Sequence, residues 1–61
     1  MTKKIFKRYV DQNNFKEINE DDVVEYCENR GYWKQGTSLK TLYECGKITT
    51  PHAEYIIKEI S

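Results

Sequence analysis

The sequence predicts a small, α-rich α+β domain, and three observations carry that expectation. Asn19 followed by Glu20, Asp21 and Asp22 has the composition of a helix start. Thr50-Pro51 ahead of Ala53, Ile56, Ile57 and Ile60 has that of another. Residues 3–18 instead set aromatic and β-branched side chains on both sides of a polar turn. The architecture expected is an N-terminal strand or hairpin packed on three short helices at about 20–30, 38–45 and 51–60. An all-α helical bundle is the alternative, and one domain spans residues 1–61 in either case.

In chain order, Ile5, Phe6, Tyr9 and Val10 suit a strand, although they also fit one face of a short helix. Asp11-Gln12-Asn13-Asn14 is a turn signal, after which Phe15 to Ile18 can return as a second strand. In the first helix, Asn19 caps and Asp22 occupies the capping-box position. Val23, Val24 and Cys27 form its apolar stripe, and Arg30-Gly31 ends it. Gly31 to Gly36 is a glycine-bracketed loop holding Tyr32 and Trp33. Thr37 or Ser38 caps the next helix, whose apolar face is Leu39, Leu42 and Tyr43 and whose stop is Gly46. For the last segment a strand at Ile48-Thr49-Thr50 competes with the helix. Pro51 and the 3.6-residue period beyond it favour the helix, with Glu54 and Lys58 as an i, i+4 pair.

Size limits function. A chain of 61 residues with eight aromatic side chains builds one thin core. It has little left to wall a catalytic pocket of the usual roughly 300–1,000 Å³. No Gly-rich phosphate loop is present, and the one histidine, His52, has no sequence relation to Cys27 or Cys45 that would make a nucleophile and base. Cys27, Cys45 and His52 do not follow zinc spacing, so neither metal nor cofactor is expected. Two cysteines without an apolar leader fit reduced thiols in a bacterial or host-cell cytoplasm. No run approaches the ~20 apolar residues that span a membrane, and the initial Met reads as the start of a complete chain.

Net charge is zero, yet charge is segregated: Lys3, Lys4, Lys7 and Arg8 make the N-terminus basic, and Glu17 to Glu28 is acidic. Lys, Ile, Asn, Tyr and Glu supply about half the residues, which suggests AT-rich coding and a phage or low-GC bacterium. The functional expectation is a non-enzymatic protein-binding module, of the kind a phage or mobile element uses to inhibit or redirect a host defence or replication protein. Its contacts are expected at the acidic ridge Asp21, Glu25 and Glu28 and at the aromatic residues Tyr32, Trp33 and Tyr55. Trp33 has a competing role as a core plug. A homodimer paired through the basic N-terminal segment fits so small a core. The alternative is a helix-turn-helix DNA-binding regulator that reads with residues 51–60 and touches phosphates with Lys3, Lys4, Lys7 and Arg8. Zero net charge and the scarcity of Arg, Asn and Gln on that segment make DNA the weaker partner.

Overall fold

The first and last strands of the chain pair with each other at the centre of a four-stranded sheet. In the computed structural model, which describes residues 2–60, β1 (Thr2–Tyr9) and β4 (Ala53–Ile60) run antiparallel from Thr2↔Ile60 to Tyr9↔Ala53. Two short strands flank them: β2 (Lys16–Ile18) beside β1 and β3 (Lys47–Thr49) beside β4, giving the order β2-β1-β4-β3. The segment between the two edge strands holds both helices and crosses one face of the sheet. These are α1 (Glu20–Val23), which continues as a π-helical turn over Val24–Glu28, and α2 (Ser38–Cys45). No helix among the described residues is long and apolar enough to cross a membrane.

The N-terminal hairpin and the helices near 20–30 and 38–45 are present; the third helix is not. Residues 53–60 are strand, so the fold is strand-rich with two short helices, and neither an α-rich domain nor a helical bundle describes it. The segment AEYIIKEI satisfies two periods at once. Ala53, Ile56, Ile57 and Ile60 lie on a helical stripe, while Ala53, Tyr55 and Ile57 alternate toward one face. Isoleucine and tyrosine favour the pleated surface, and β1 supplies an eight-residue partner that no local pattern reveals.

The Thr50-Pro51 signal is real but serves a hairpin. Thr50 Oγ1 accepts the His52 and Ala53 N–H groups at 3.2 and 3.1 Å, and the Thr50 N–H bonds the Ala53 carbonyl at 2.8 Å. The polar acceptor that would satisfy a helix start thus closes the β3–β4 turn. With β4 a strand, residues 51–60 offer no recognition helix, and the helix-turn-helix geometry falls with it. In the basic segment β2 pairs only with Ile5–Lys7, so Thr2–Lys4 of β1 meet β4 alone and keep one edge without a strand partner. The two outer strands are three residues long and each begins with a lysine, an arrangement that discourages edge pairing.

Alternation along the strands divides the side chains. Ile5, Lys7, Ile48, Ala53 and Tyr55 face the helices and are buried there with Val23, Cys27 and Leu42. On the opposite face Glu54 bridges Arg8 at 3.3 Å and Lys47 at 2.7 Å, tying three strands together, and these two cations hold its carboxyl below the ordinary range. The Asn19 capping box forms as the sequence indicates, with the Asp22 N–H on Asn19 Oδ1 at 2.9 Å.

Gly46 ends α2 in the left-handed region (φ 83°), and its N–H bonds the Leu42 carbonyl at 2.8 Å. A methyl group at that position would meet nothing within 4 Å, so the cost of Gly46→Ala is conformational alone. Urea denaturation should show a loss of about 1 kcal/mol with the slope unchanged. An unaltered midpoint would contradict the left-handed helix end.

Candidate functional site

Lys7 is the anomaly of the inner face. Strand alternation turns it toward the helices, opposite Tyr55 in the register, and it is only 6% exposed. Its ammonium donates to Tyr9 Oη at 2.9 Å. It lies 3.4 Å from the centre of the Tyr26 ring, 4.2 Å from that of Tyr9 and 5.7 Å from that of Tyr55. Among the described residues no carboxylate comes within ion-pairing distance of it. A buried cation is therefore held by three tyrosine rings and one hydroxyl.

The magnitudes are unequal. Cation–π contacts supply about 0.5–2 kcal/mol each. Removing an ammonium from water costs several kcal/mol even after relaxation. Lys7 also keeps two N–H donors beyond the one given to Tyr9. Satisfying the core alone would be easier with an apolar side chain.

The tyrosines come from separate elements. Tyr9 ends β1, Tyr55 lies on β4, and Tyr26 sits in the π-helical turn. That turn supplies three neighbouring residues to three tasks. Tyr26 faces Lys7, Cys27 is fully buried in the core, and Glu28 caps the next helix. π turns often mark functional segments. Arg30, just beyond it, places its guanidinium 5.0 Å from the centre of the same Tyr26 ring. Tyr32 meets the His52 ring edge-on at 5.4 Å. Together these residues line an open cleft of about 210 Å³ at one end of the helix–sheet junction, with no Asp or Glu in its wall. Lys7 also lines a second depression, of about 220 Å³, whose wall includes Glu17 and Asp22.

The residues singled out from the sequence scatter. Asp21 and Glu25 are exposed on the first helix, where Glu25 accepts a hydrogen bond from the Asn29 side chain at 3.0 Å. Glu28 turns inward. Its carboxylate accepts the Gly36 N–H at 2.8 Å, the Ser38 N–H at 3.1 Å and the Ser38 hydroxyl, so it caps α2 in place of Thr37. These bonds lower its pKa, the Ser38 hydroxyl contributing most. Trp33 is half-buried against the core, and its indole N–H reaches the Thr49 carbonyl at 3.1 Å. Tyr55 is 1% exposed and presents no surface to a partner. Its hydroxyl faces the buried Cys27 thiol, and burial raises both their pKa values. Tyr32, by contrast, stands 40% exposed at the mouth of the cleft. Tyr9, Tyr26 and Arg30 are the residues sequence reasoning missed, and Lys7 entered it only as a surface phosphate contact of the DNA-binding alternative. The available signal was a lysine at a core-facing position of a strand, visible only once β1 is assigned as strand.

Two outcomes follow for stability. Lys7→Met keeps the stem and removes the charge, so its unfolding free energy should equal or exceed the parent's by up to about 1 kcal/mol in urea denaturation; a loss above 1 kcal/mol would make the ammonium a structural tie. Glu28→Gln should cost about 1 kcal/mol at neutral pH. Because the folded Glu28 pKa lies below the usual 4.5, its contribution is present above that pH and fades as pH falls through the lower folded value. The gap between Glu28→Gln and the parent should therefore narrow in acid and stay constant from pH 6 to 8. Compared with known proteins, the chain matches no family model, no curated protein and no solved structure.

Proposed function

We propose that the chain is a small non-enzymatic protein-binding module that meets its partner with the tyrosine-lined end of the molecule. The observation that supports this is a set of hot-spot residue types already held in place before any partner arrives. Tyr9 and Tyr32 stand 43% and 40% exposed, yet Tyr9 is fixed by Lys7 and Tyr32 by His52. Arg30 rests against Tyr26. Tyrosine and arginine dominate interface energetics, and side chains ordered in advance lose less entropy on binding. The exposed Asp21 and Glu25 lie on the adjoining helix, where they favour encounter with a partner of complementary charge. AT-rich residue usage fits a phage or mobile-element protein that inhibits or redirects a host protein in the cytoplasm.

Affinity capture from host lysate at moderate salt, followed by mass spectrometry, tests this reading. The parent should retain one or a few proteins, and Tyr32→Ala should lose them by tenfold or more, about 1.4 kcal/mol, with an unchanged thermal midpoint. Trp33→Ala should act differently. It should lower stability by about 2 kcal/mol, short of the roughly 3–5 kcal/mol that a fully buried aromatic loses, with capture retained wherever the domain stays folded. Retention by Tyr32→Ala equal to the parent's, or a duplex-DNA gel shift at physiological salt, would refute the reading.

A further inference from the structure

We propose that the cleft is an oxyanion site for a phosphate group, either free or as the monoester of a partner's side chain, with Lys7 and Arg30 as its cations. The second form rests on the protein-binding reading; the site itself does not.

The donor inventory points to an anion. Lys7 keeps two N–H groups unassigned, and Arg30 makes no hydrogen bond or ion pair among the described residues, which leaves five guanidinium donors. Tyr9 accepts from Lys7, so its own hydroxyl proton remains free to donate outward. The cleft wall contains no carboxylate to neutralise the two charges. The other clusters of cations differ in this respect. On the outer sheet face Arg8 and Lys47 share Glu54, and Lys4 pairs with Glu17. The second depression beside Lys7 holds Glu17 and Asp22, which offset the charges of Lys7 and Lys16 in its wall.

Size and polarity narrow the ligand. About 210 Å³ in an open cleft is less than the roughly 300–1,000 Å³ that encloses a drug-sized molecule. The space suits one charged group, with the rest of the ligand lying outside. A phosphate offers several acceptor oxygens and up to two charges, which matches several converging donors better than a single carboxylate does. Tyr32 and His52 at the rim give an aryl or peptide portion of a phosphomonoester a surface to lie against. An arriving anion would also supply Lys7 with the counter-charge that its tyrosine cage lacks.

Titration of the ¹⁵N-labelled chain with inorganic phosphate and, separately, phenyl phosphate, in a phosphate-free buffer at constant ionic strength, tests the site without any partner. Backbone shifts should saturate, with a Kd on the order of 1 mM or tighter, and should cluster at Lys7, Arg30, Tyr32 and His52. Lys7→Met and Arg30→Gln should each weaken binding about tenfold, whereas Lys58→Met on the opposite face should leave it unchanged. Arg30 lies at the surface, so its variant keeps the test sound even if Lys7→Met alters folding. Tighter binding of phenyl phosphate identifies the monoester as the ligand form; equal or tighter binding of inorganic phosphate identifies the free ion. Shifts that chloride reproduces, that fail to saturate, or that survive both substitutions overturn the proposal. Loss of lysate capture with phosphate binding intact would count against the protein-binding reading alone.

Discussion

The pairing of β1 with β4 is the constraint on which the rest of the molecule depends. It joins the two ends of the chain over eight register positions, from Thr2↔Ile60 to Tyr9↔Ala53. That register decides which side chains face the helices. It sets Ile5 beside Ile57 and Lys7 beside Tyr55, and a slip of one residue would turn every one of them outward. It also leaves both hairpin arms as short edges and obliges the helical segment to cross from one edge to the other. The layer that buries the core is therefore a consequence of where the two ends meet.

Neighbouring residues of β1 show how one strand places like charges in unlike surroundings. Arg8 faces the uncovered side of the sheet and finds Glu54 directly across the ladder, where a partly buried carboxylate meets its charge. Lys7, one position earlier, faces the covered side and finds tyrosine rings. The same contrast appears among the acids. Asp21 and Glu25 remain at the surface, whereas Glu28 spans two helices and accepts the Gly36 N–H and the first N–H of α2, that of Ser38. Net charge of zero conceals this distribution, because it counts Lys7 and Glu28 like any charge at the surface.

Local signals were legible in the sequence and non-local ones were not. Asn19, Asp22 and Gly46 act within one turn of their own position, and each does what its residue type implies. The N-terminal hairpin was readable from the turn at residues 11–14. Residues 53–60 were not decidable in this way, since Ala53, Tyr55, Ile56 and Ile57 fit both a helical and a strand period and the choice is made by β1, more than forty residues away. Thr50 gave a true capping signal that a hairpin uses as readily as a helix. Of the cleft residues, Tyr32 and Tyr55 were singled out as contacts and Lys7 only as a phosphate contact of the alternative, and of these Tyr32 is the one exposed at the surface. The cleft brings together β1, the π-helical turn and the β3–β4 hairpin, and composition carries no trace of such a meeting. Tyr55, expected at a contact surface, is a strand residue opposite Lys7 and belongs to the core.

The cleft and the fold are energetically linked through the same residues. Lys7, Tyr9 and Tyr55 enter it from the central strand pair, while Tyr26, Arg30 and Tyr32 enter it from the helical layer and the loop that follows. The unfolded chain has no such arrangement, so anything that binds there stabilises the native state by mass action. The converse also holds. A core of this size has a small stability margin, and Lys7 draws on that margin, because three ring faces return less than the water it has lost. An apolar residue at position 7 would make a better core and a poorer cleft. If the cleft binds an anion as proposed, the side chain that marks it is one that the core does not require.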